Sequence, residues 1–539
     1  VQRLSFKESL PKGIRPDGRI PVNAQYLVDA KNLSCTPFGA KVMRSFQQPI
    51  TDAALTAASI TKSYPFPQLF VGKSATLLAT ATSIFDVTKS DSGNWTVGAR
   101  TVYSWEDFLV DGSLNAGTIP AGKDWHFLDL WDRWMLFNGE CVVFTLLGIT
   151  FVQSSVTIQT GAAYNDGQIF YGGFDASDLF SLADWPTYLA TYQTNLPAEL
   201  QDGDYGTGMG ANHVWWSSAA GEDMFKFFSL DLMKYGAPAL GQGVGTVFTE
   251  QNPYWMQFAS RGESASAPMP WTGTVKRIMQ CGNTMIAYGT NGVRLIRPDG
   301  GYGNFDLPGF AQNVGLCEGT TVRLAVGGNE QTQMFVDERR DLWAVENQGG
   351  VPQATNLGYR NIFGSATNVM VHHDPGENEF YFTGDSDFAY RLPVGGGLSK
   401  SPFLPTTVGY GRANNASGPV GIRTLVSDNT TAYLQTNWFD NQGRNVVANA
   451  VRIIVQVDAE DTTTGLQAAL VYKRFPNDPS VGTTGYVTVD KRGVAKIPPT
   501  SYYMAYIQIT HPDRTTININ DIILEFDDGE RRSISTCLP

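Results

Sequence analysis

Charge is scarce in this chain. Only 17% of its 539 residues are Asp, Glu, Lys or Arg, and acidic residues outnumber basic ones 51 to 39, a formal net charge of -12. Such a chain has no overall basic character with which to neutralise phosphates, which excludes nucleic-acid binding through bulk positive charge. The balance fits a soluble acidic protein that stays dispersed, or a surface that nucleic acid must pass without sticking. Cysteine is sparse too. Cys35, Cys141, Cys281, Cys317 and Cys537 lie far apart with no CxxC pair, which excludes a zinc ribbon. The odd count and wide spacing predict reduced thiols in a protein assembled in a cytoplasm, with Cys141 and Cys281 as small core residues. The longest near-apolar run, Cys141 to Val152, is too short to span a bilayer and contains Gly148. The opening VQRLSFKESLPKG has no continuous apolar stretch, so neither a membrane span nor a signal peptide is expected. The start at Val1 leads us to expect a trimmed or processed chain.

Recognisable catalytic chemistry is missing as well. The five histidines, His126, His213, His372, His373 and His511, are scattered except for one adjacent pair. On a strand His372 and His373 point to opposite faces and do not share a metal, so VHHDPGENE reads as a strand end or turn. Asp374, Glu377 and Glu379 are oxygen ligands of the kind calcium takes, but without the spacing of a calcium loop. GTGMG (Gly206 to Gly210) and GQGVG (Gly241 to Gly245) lack a preceding strand, a following helix and a Walker lysine, and read as loops. There is no GxSxG elbow. SDSGNW (Ser90 to Trp95) shares an Asp-x-Gly core and a Trp with the Asp-box hairpin of sialidases, yet has the wrong spacing and no second copy, and reads as a β-turn with a packed Trp95. No carboxylate pair suited to glycan hydrolysis is identifiable. No catalytic, cofactor-binding or metal-ligating residue is assigned, and the chain is expected not to be an enzyme.

What the chain does have is hydrophobic and aromatic material, 42% and 12%, enough for large cores, with 56 glycines and 28 prolines for tight turns. The stretch Trp125 to Phe144, WHFLDLWDRWMLFNGECVVF, is an apolar run, an Asn138-Gly139 pair and a second apolar run. It predicts a hairpin on a type I′ turn with positive φ at both turn residues. The same unit returns in LLATATSIFDV (Leu77 to Val87), MIAYGTNGVRLI (Met285 to Ile296), MFVDERRDLWAV (Met334 to Val345) and FYFTGDSDFAYRL (Phe380 to Leu392). Starts recur about every 45 to 57 residues where units follow one another, near the repeat of four-stranded propeller blades. The longer gap between Phe144 and Met285 calls for an insertion. The competing reading is a large irregular β-protein with many hairpins.

The chain therefore divides into five parts. Residues 1–60, interrupted by Pro11, Gly13, Pro16, Gly18, Pro21, Pro37 and Gly39, read as an extended N-terminal arm. Residues 61–172 carry the first part of a β-propeller. Residues 173–270 form an inserted, platform-like mixed or helical segment, with one helix predicted over 222–235, where Met224, Phe227, Phe228, Leu232 and Tyr235 follow helical spacing before Gly236, and others within 175–192. Residues 271–412 complete the propeller, with the Gly/Pro-rich 393–405 leading out of it. Residues 413–539 form a C-terminal β-sandwich, with core faces predicted at Val451, Ile453, Val455 and Val457, at Ala505, Ile507 and Ile509, and at Ile522, Leu524 and Phe526. The fold class is thus mainly β.

The order of these elements resembles the tail nozzle proteins of short-tailed bacteriophages, the tail tubular protein B family. The likeness runs from LVDAKNLSCTPFGAKVMRSF (Leu27 to Phe46) through WHFLDLWDRWMLFNG, HVWWSSAAGEDMF (His213 to Phe225), FVDERRDLWAV with LGYRNIF (Leu357 to Phe363), and the FYFTGDSDFAYRL hairpin to the terminal sandwich. It spans most of the chain and rests on the shared order of the motifs. The resemblance implies a structural virion protein that forms a sixfold ring below the portal and adaptor. Such a ring provides and gates the channel through which the genome leaves. Implied partners are copies of itself, the head-to-tail adaptor, tail fibres, the host envelope at the distal end, and double-stranded DNA in transit without sequence-specific binding. The implied location is the virion tail, assembled in the host bacterial cytoplasm, and no cofactor is implied. The arm and the inserted segment are the candidates for contacts between subunits or with the adaptor, and removal of residues 1–50 is expected to abolish assembly while the propeller stays folded. Two alternatives stay open: a tail-associated glycan-cleaving or receptor-binding protein, and a cytoplasmic propeller that binds other proteins.

Overall fold

The computed structural model describes residues 2–15, 21–42, 52–60, 68–71, 76–92, 94–105, 114–122, 125–130, 133–146, 150–154, 157–164, 168–174, 213–217, 264–268, 273–296, 304–311, 313–317, 325–364, 369–374, 378–383, 389–401, 431–440, 447–512 and 517–528. Among them, six four-stranded antiparallel meanders follow one another along the chain. The first blade is Gln68–Val71, Thr76–Ala79, Ile84–Lys89 and Trp95–Ala99. The second is His126–Leu130, Arg133–Phe137, Val142–Leu146 and Thr150–Ser154, with Val102–Ser104 added in parallel at its edge. The third is Ile158–Tyr164, Gln168–Phe174, His213–Ser217 and Ser264–Pro268. The fourth is Val275–Cys281, Thr284–Gly289, Val293–Ile296 and Asn304–Asp306. The fifth is Val326–Gly328, Thr332–Val336, Leu342–Gln348 and Val351–Gly358. The sixth is Met370–Asp374, Glu379–Thr383, Ala389–Pro393 and Ser399–Ser401. Each of the five quoted hairpins falls on paired strands of one blade. First strands of successive blades touch, as in 126–130 against 158–164, 158–164 against 275–281, and 326–328 against 370–374, so the first strand of a blade is its innermost. The protein is mainly β, a β-propeller joined to a β-sandwich.

The apolar runs are continuous because a blade is covered on both faces. Every residue of Thr284–Gly289 is buried. Met285 and Ala287 pack with Phe170 of the third blade, whereas Ile286 and Tyr288 pack with Phe335 and Val345 of the fifth. Ring pairs stitch the seams: Phe137 with Tyr171 at 5.6 Å, and Tyr288 with Phe335 at 5.4 Å. Polar groups caught in a seam are matched, with the Tyr288 hydroxyl donating to Gln333 Oε1 at 2.6 Å. His126 is buried too, and burial, aided by Arg277 and Lys276, holds it well below the usual imidazole range, so it stays neutral.

Two sheets face each other in the sandwich. One joins Gln2–Ser5, Leu33–Thr36, Gly39–Val42, Ala448–Val457, Val494–Ala495, Thr500–Tyr502 and Asn518–Asp528. The other joins Leu27–Lys31, Ala432–Thr436, Phe439–Asp440, Gln467–Lys473, Gly482–Thr483, Val487–Thr488 and Met504–His511. Between them lies one apolar core that includes Leu27, Leu33, Val42, Ile453, Leu470, Ile507, Leu524 and Phe526. The expected faces at 505–509 and 522–526 are buried. On Ala448–Val457 the alternation shifts: the register slips between Ala450 and Arg452, so Ala448, Ala450, Ile453 and Val455 face the core and Val451 does not. A β-bulge places one extra residue in the strand and resets its parity.

Other expectations change as well, among them the exit from the propeller at 393–405, which instead holds the sixth blade's last strand, Ser399–Ser401. The extended arm over 1–60 is not extended: four of its strands belong to the sandwich, where Phe6, Leu10, Leu27, Leu33 and Val42 pack into the apolar core. Its helix Asp52–Ala57 covers the first blade, with Leu55 on Leu78, Phe85 and Trp95. The 173–270 segment is not one insertion between blades, since His213–Ser217 and Ser264–Pro268 pair within the third blade. The helices predicted over 175–192 and 222–235, and both glycine-rich runs, lie outside the described residues. The Asn138-Gly139 turn is a four-residue loop between Phe137 and Val142. Gly139 has φ +83°, but Asn138 does not have positive φ. Its Oδ1 instead accepts the amides of Glu140 and Cys141 at 2.9 and 2.8 Å.

Candidate functional site at the junction of the last blade and the sandwich

The sixth blade and one sandwich sheet form a single eleven-stranded sheet, because Leu27–Lys31 lies between Ser399–Ser401 and Ala432–Thr436. The chain passes closely here. A side chain on Gly397 would sit 2.2 Å from the Lys12 carbonyl carbon, and one on Gly396 2.1 Å from the Cys35 carbonyl oxygen. Gly13, at φ +58°, lies against Leu398, with Ile14 N–H donating to the Leu398 carbonyl at 2.8 Å.

Under this crossing is a buried charged cluster. Tyr381 and Arg391 are cross-strand neighbours, and Glu379 lies two residues before Tyr381 on the same face. Glu379 and Arg391 are 3% and 4% exposed, with Nε and Oε2 3.5 Å apart. Tyr381 hydroxyl bridges them, accepting from Arg391 Nε and Nη2 at 3.1 and 2.5 Å and donating to Glu379 Oε2 at 3.2 Å. The guanidinium also sits over the Tyr381 ring at 5.0 Å. From the N-terminal hairpin, Ser34 hydroxyl donates to Glu379 Oε1. The next residue, Cys35, has its thiol pushed up to about 12 by burial and by the Glu379 charge. It is therefore a protonated packing group and not a nucleophile.

A buried ion pair of this kind contributes orientation more than net stability, and removing one partner is costly because the other is left charged and unsolvated. Both carboxylate oxygens of Glu379 are engaged by neighbouring side chains. Its role is to key residue 34 to residues 379–391. Glu379 had a place in the calcium-type run with Asp374 and Glu377; here it is committed to Arg391, Tyr381 and Ser34 instead. His373 lies within reach of Asn329 and Asn378, at 3.3 and 3.2 Å, and against Phe380. Among the described residues no group of three or more His, Cys, Asp or Glu is placed to hold a metal ion. No described helix is long and apolar enough to cross a membrane. Cys35, Cys141, Cys281 and Cys317 are buried, and none forms a disulfide with another described residue. Ser90 closes its turn by accepting the Asn94 amide at 3.1 Å, and Trp95 packs beneath it. Sequence reasoning missed the keyed cluster because Ser34 and Glu379 are 345 residues apart. The available signal was a Glu and an Arg at inward positions of otherwise apolar strands.

No protein-family model and no curated protein matches the sequence. Among solved structures, the chain is similar to the Pan2 WD40 domain of Neurospora crassa (7% identity, 71% of this chain and 90% of that one, TM-score 0.33). It is also similar to the Cps50 (Swd1) β-propeller domain of Myceliophteria thermophila (8%, 63% and 86%, 0.29). A third is an exo-β-1,3-galactanase of Phanerochaete chrysosporium (9%, 89% and 100%, 0.26). At these scores the likenesses carry no argument, and the propeller is assigned on the pairing of its own strands.

Proposed function

We propose that this chain is a non-catalytic structural subunit of the tail nozzle of a short-tailed bacteriophage. In this reading six copies form a ring below the portal and adaptor, and the ring provides and gates the channel for genome ejection. The observation that carries the reading is the ordered set of motifs resembling the nozzle family, each of which falls on a separate structural unit. WHFLDLWDRWMLFNG supplies the first hairpin of the second blade, HVWWS a strand of the third, FVDERRDLWAV the central hairpin of the fifth, and FYFTGDSDFAYRL that of the sixth. LVDAKNLSCTPFGAKV supplies the strands that tie the sandwich to the last blade.

The acidic balance then has a use. Carboxylates on the channel wall repel phosphates, so DNA slides with few counterion-releasing contacts. That wall is made by the surfaces of six subunits and not by the axis of one propeller, whose inner strand Val275–Cys281 carries Lys276 and Arg277. The adaptor, the tail fibres and the host envelope are the partners of this reading. The test is immunogold electron microscopy of particles from the source culture with an antibody to this chain. Gold on the axis at the distal end of a short tail is the expected result. Gold on lateral fibres would move the assignment to receptor binding or glycan cleavage, and unlabelled particles would overturn the tail assignment.

A further inference from the structure

The outward face of the second sandwich sheet carries a cluster of rings and amides. Tyr433 hydroxyl donates to Gln435 Oε1 at 2.7 Å and accepts from Gln508 Nε2 at 2.8 Å. Gln508 Oε1 in turn accepts from the Tyr486 hydroxyl at 3.3 Å, and Tyr486 is 48% exposed. On the same face Trp438 meets Tyr506 edge to face at 4.6 Å, with the Lys473 ammonium 5.7 Å above the indole. Trp438 also walls a cleft of about 360 Å³, at the lower end of the range of small-ligand sites, about 300–1,000 Å³. Ser5, Ser9, Asn23, Gln25, Asn437 and Asp440 supply its polar lining; Asn23 Nδ2 already fixes Asp440 Oδ1 at 2.7 Å, and Lys12 Nζ donates to Gln25 Oε1 at 2.9 Å.

We propose that this cleft, walled by Trp438 and continued by the Tyr506–Gln508–Tyr433 platform, binds a neutral polysaccharide. A pyranose chain presents C–H faces and hydroxyls in alternation. Aromatic rings cover the first by dispersion and the polarised C–H edge. Planar amides and carboxylates, which both donate and accept or accept twice, meet the second. The side chains are held in place by their mutual hydrogen bonds, so little rotamer freedom remains to be lost on binding. Asp29 beside the platform is engaged by Lys31 and Lys400 at 3.7 and 3.0 Å, so its carboxylate is already paired.

The full-length chain is run through native gels containing dextran, a soluble galactan or a mannan. Retardation by at least one is expected. Trp438→Ala should weaken it by about tenfold or more, the scale of a lost aromatic anchor, and Gln25→Ala by about three- to tenfold, the scale of a lost hydrogen bond. Trp438→Phe should keep part of the retardation. Unfolding midpoints by circular dichroism confirm that each variant is folded, and Gln25→Ala, with Gln435→Ala on the platform, decides the matter if Trp438→Ala does not fold. Free migration in all three gels overturns the proposal, as does retardation that none of the variants changes. A Trp438→Ala chain that loses only its oligomeric state in light scattering would assign the face to a contact between copies, and would overturn the proposal too.

Discussion

Single side chains at the junction hold together segments that are remote in sequence. Arg391 satisfies Glu379 and Tyr381 in a site that water does not reach. Arg391→Met leaves the Glu379 carboxylate buried without its cation, and should lower stability by about 3–5 kcal/mol in denaturant titrations. The double change Glu379→Gln with Arg391→Met should recover a good part of that loss, because no isolated charge remains. If Arg391→Met costs no more than an exposed-pair deletion, of the order of 1 kcal/mol or less, the cluster is not a lock. Neither partner could be assigned from its neighbours in the chain. Glu379 reads locally as part of an acidic turn, VHHDPGENE, and only pairing across three strands brings Arg391 and Ser34 to it.

At the scale of elements, the hairpins were legible and their turns less so. The apolar runs flanking Asn138 fixed two strands because burial on both faces demands uninterrupted hydrophobicity. The turn chemistry followed a different rule. Asn138, Asn329, Asp337 and Asp490 each begin a turn by accepting two backbone amides on one side-chain oxygen. Such a turn uses the side chain to replace backbone pairing and needs no left-handed pair of residues. Asn138 is 4% exposed and also donates to the Pro120 carbonyl at 2.8 Å. Asn138→Ala should therefore cost about 1–3 kcal/mol by thermal or denaturant unfolding, the scale of buried amides left unsatisfied. An unchanged midpoint would show that solvent replaces the cap. The third blade was illegible for another reason: its last two strands, at 213–217 and 264–268, are separated from each other and from the first two by long intervening stretches, so no local repeat betrays them.

For the whole molecule, sequence patterning revealed the β-propeller and the sandwich but not that the first 42 residues complete the sandwich. Short strands broken by Pro and Gly carry little periodic signal, and their partners lie over 400 residues away. Deleting residues 2–42 removes four strands and uncovers the faces of Ile453, Ile507 and Leu524. The expected outcome is aggregation, or a molten sandwich with strong dye binding, in place of a folded but unassembled subunit. A soluble truncated chain with a cooperative transition would refute this. The sandwich should also be acid-labile. Arg452, then Arg3, holds Glu525 below the ordinary carboxylate range. Asn520 and Asn518 do the same for Asp458, and the amide of Val494 for Asp490. For carboxylates lowered in the folded state, the stability contribution is full above the unfolded values, about 3.9 for Asp and 4.3 for Glu, and is lost as pH falls through the folded ones. Stability measured from pH 6 downward should decline below about pH 5, and Arg452→Ala should lower it at neutral pH while making that decline shallower.

The joining of residues 2–42 and 432–528 in one sandwich also sets an order in time. Residues 2–42 are made well before their strand partners at 432–436 and 518–528. Leu27, Leu33 and Val42 thus have no core to enter until residues 432–528 have been made. Pairing at such sequence separation is slow because a long loop must close first. A prematurely ended chain keeps those apolar strands unpaired and is left open to proteases or to aggregation. Only a chain that continues through residue 528 can cover those strands, so the fold itself withholds a finished sandwich core from any copy cut short before that point.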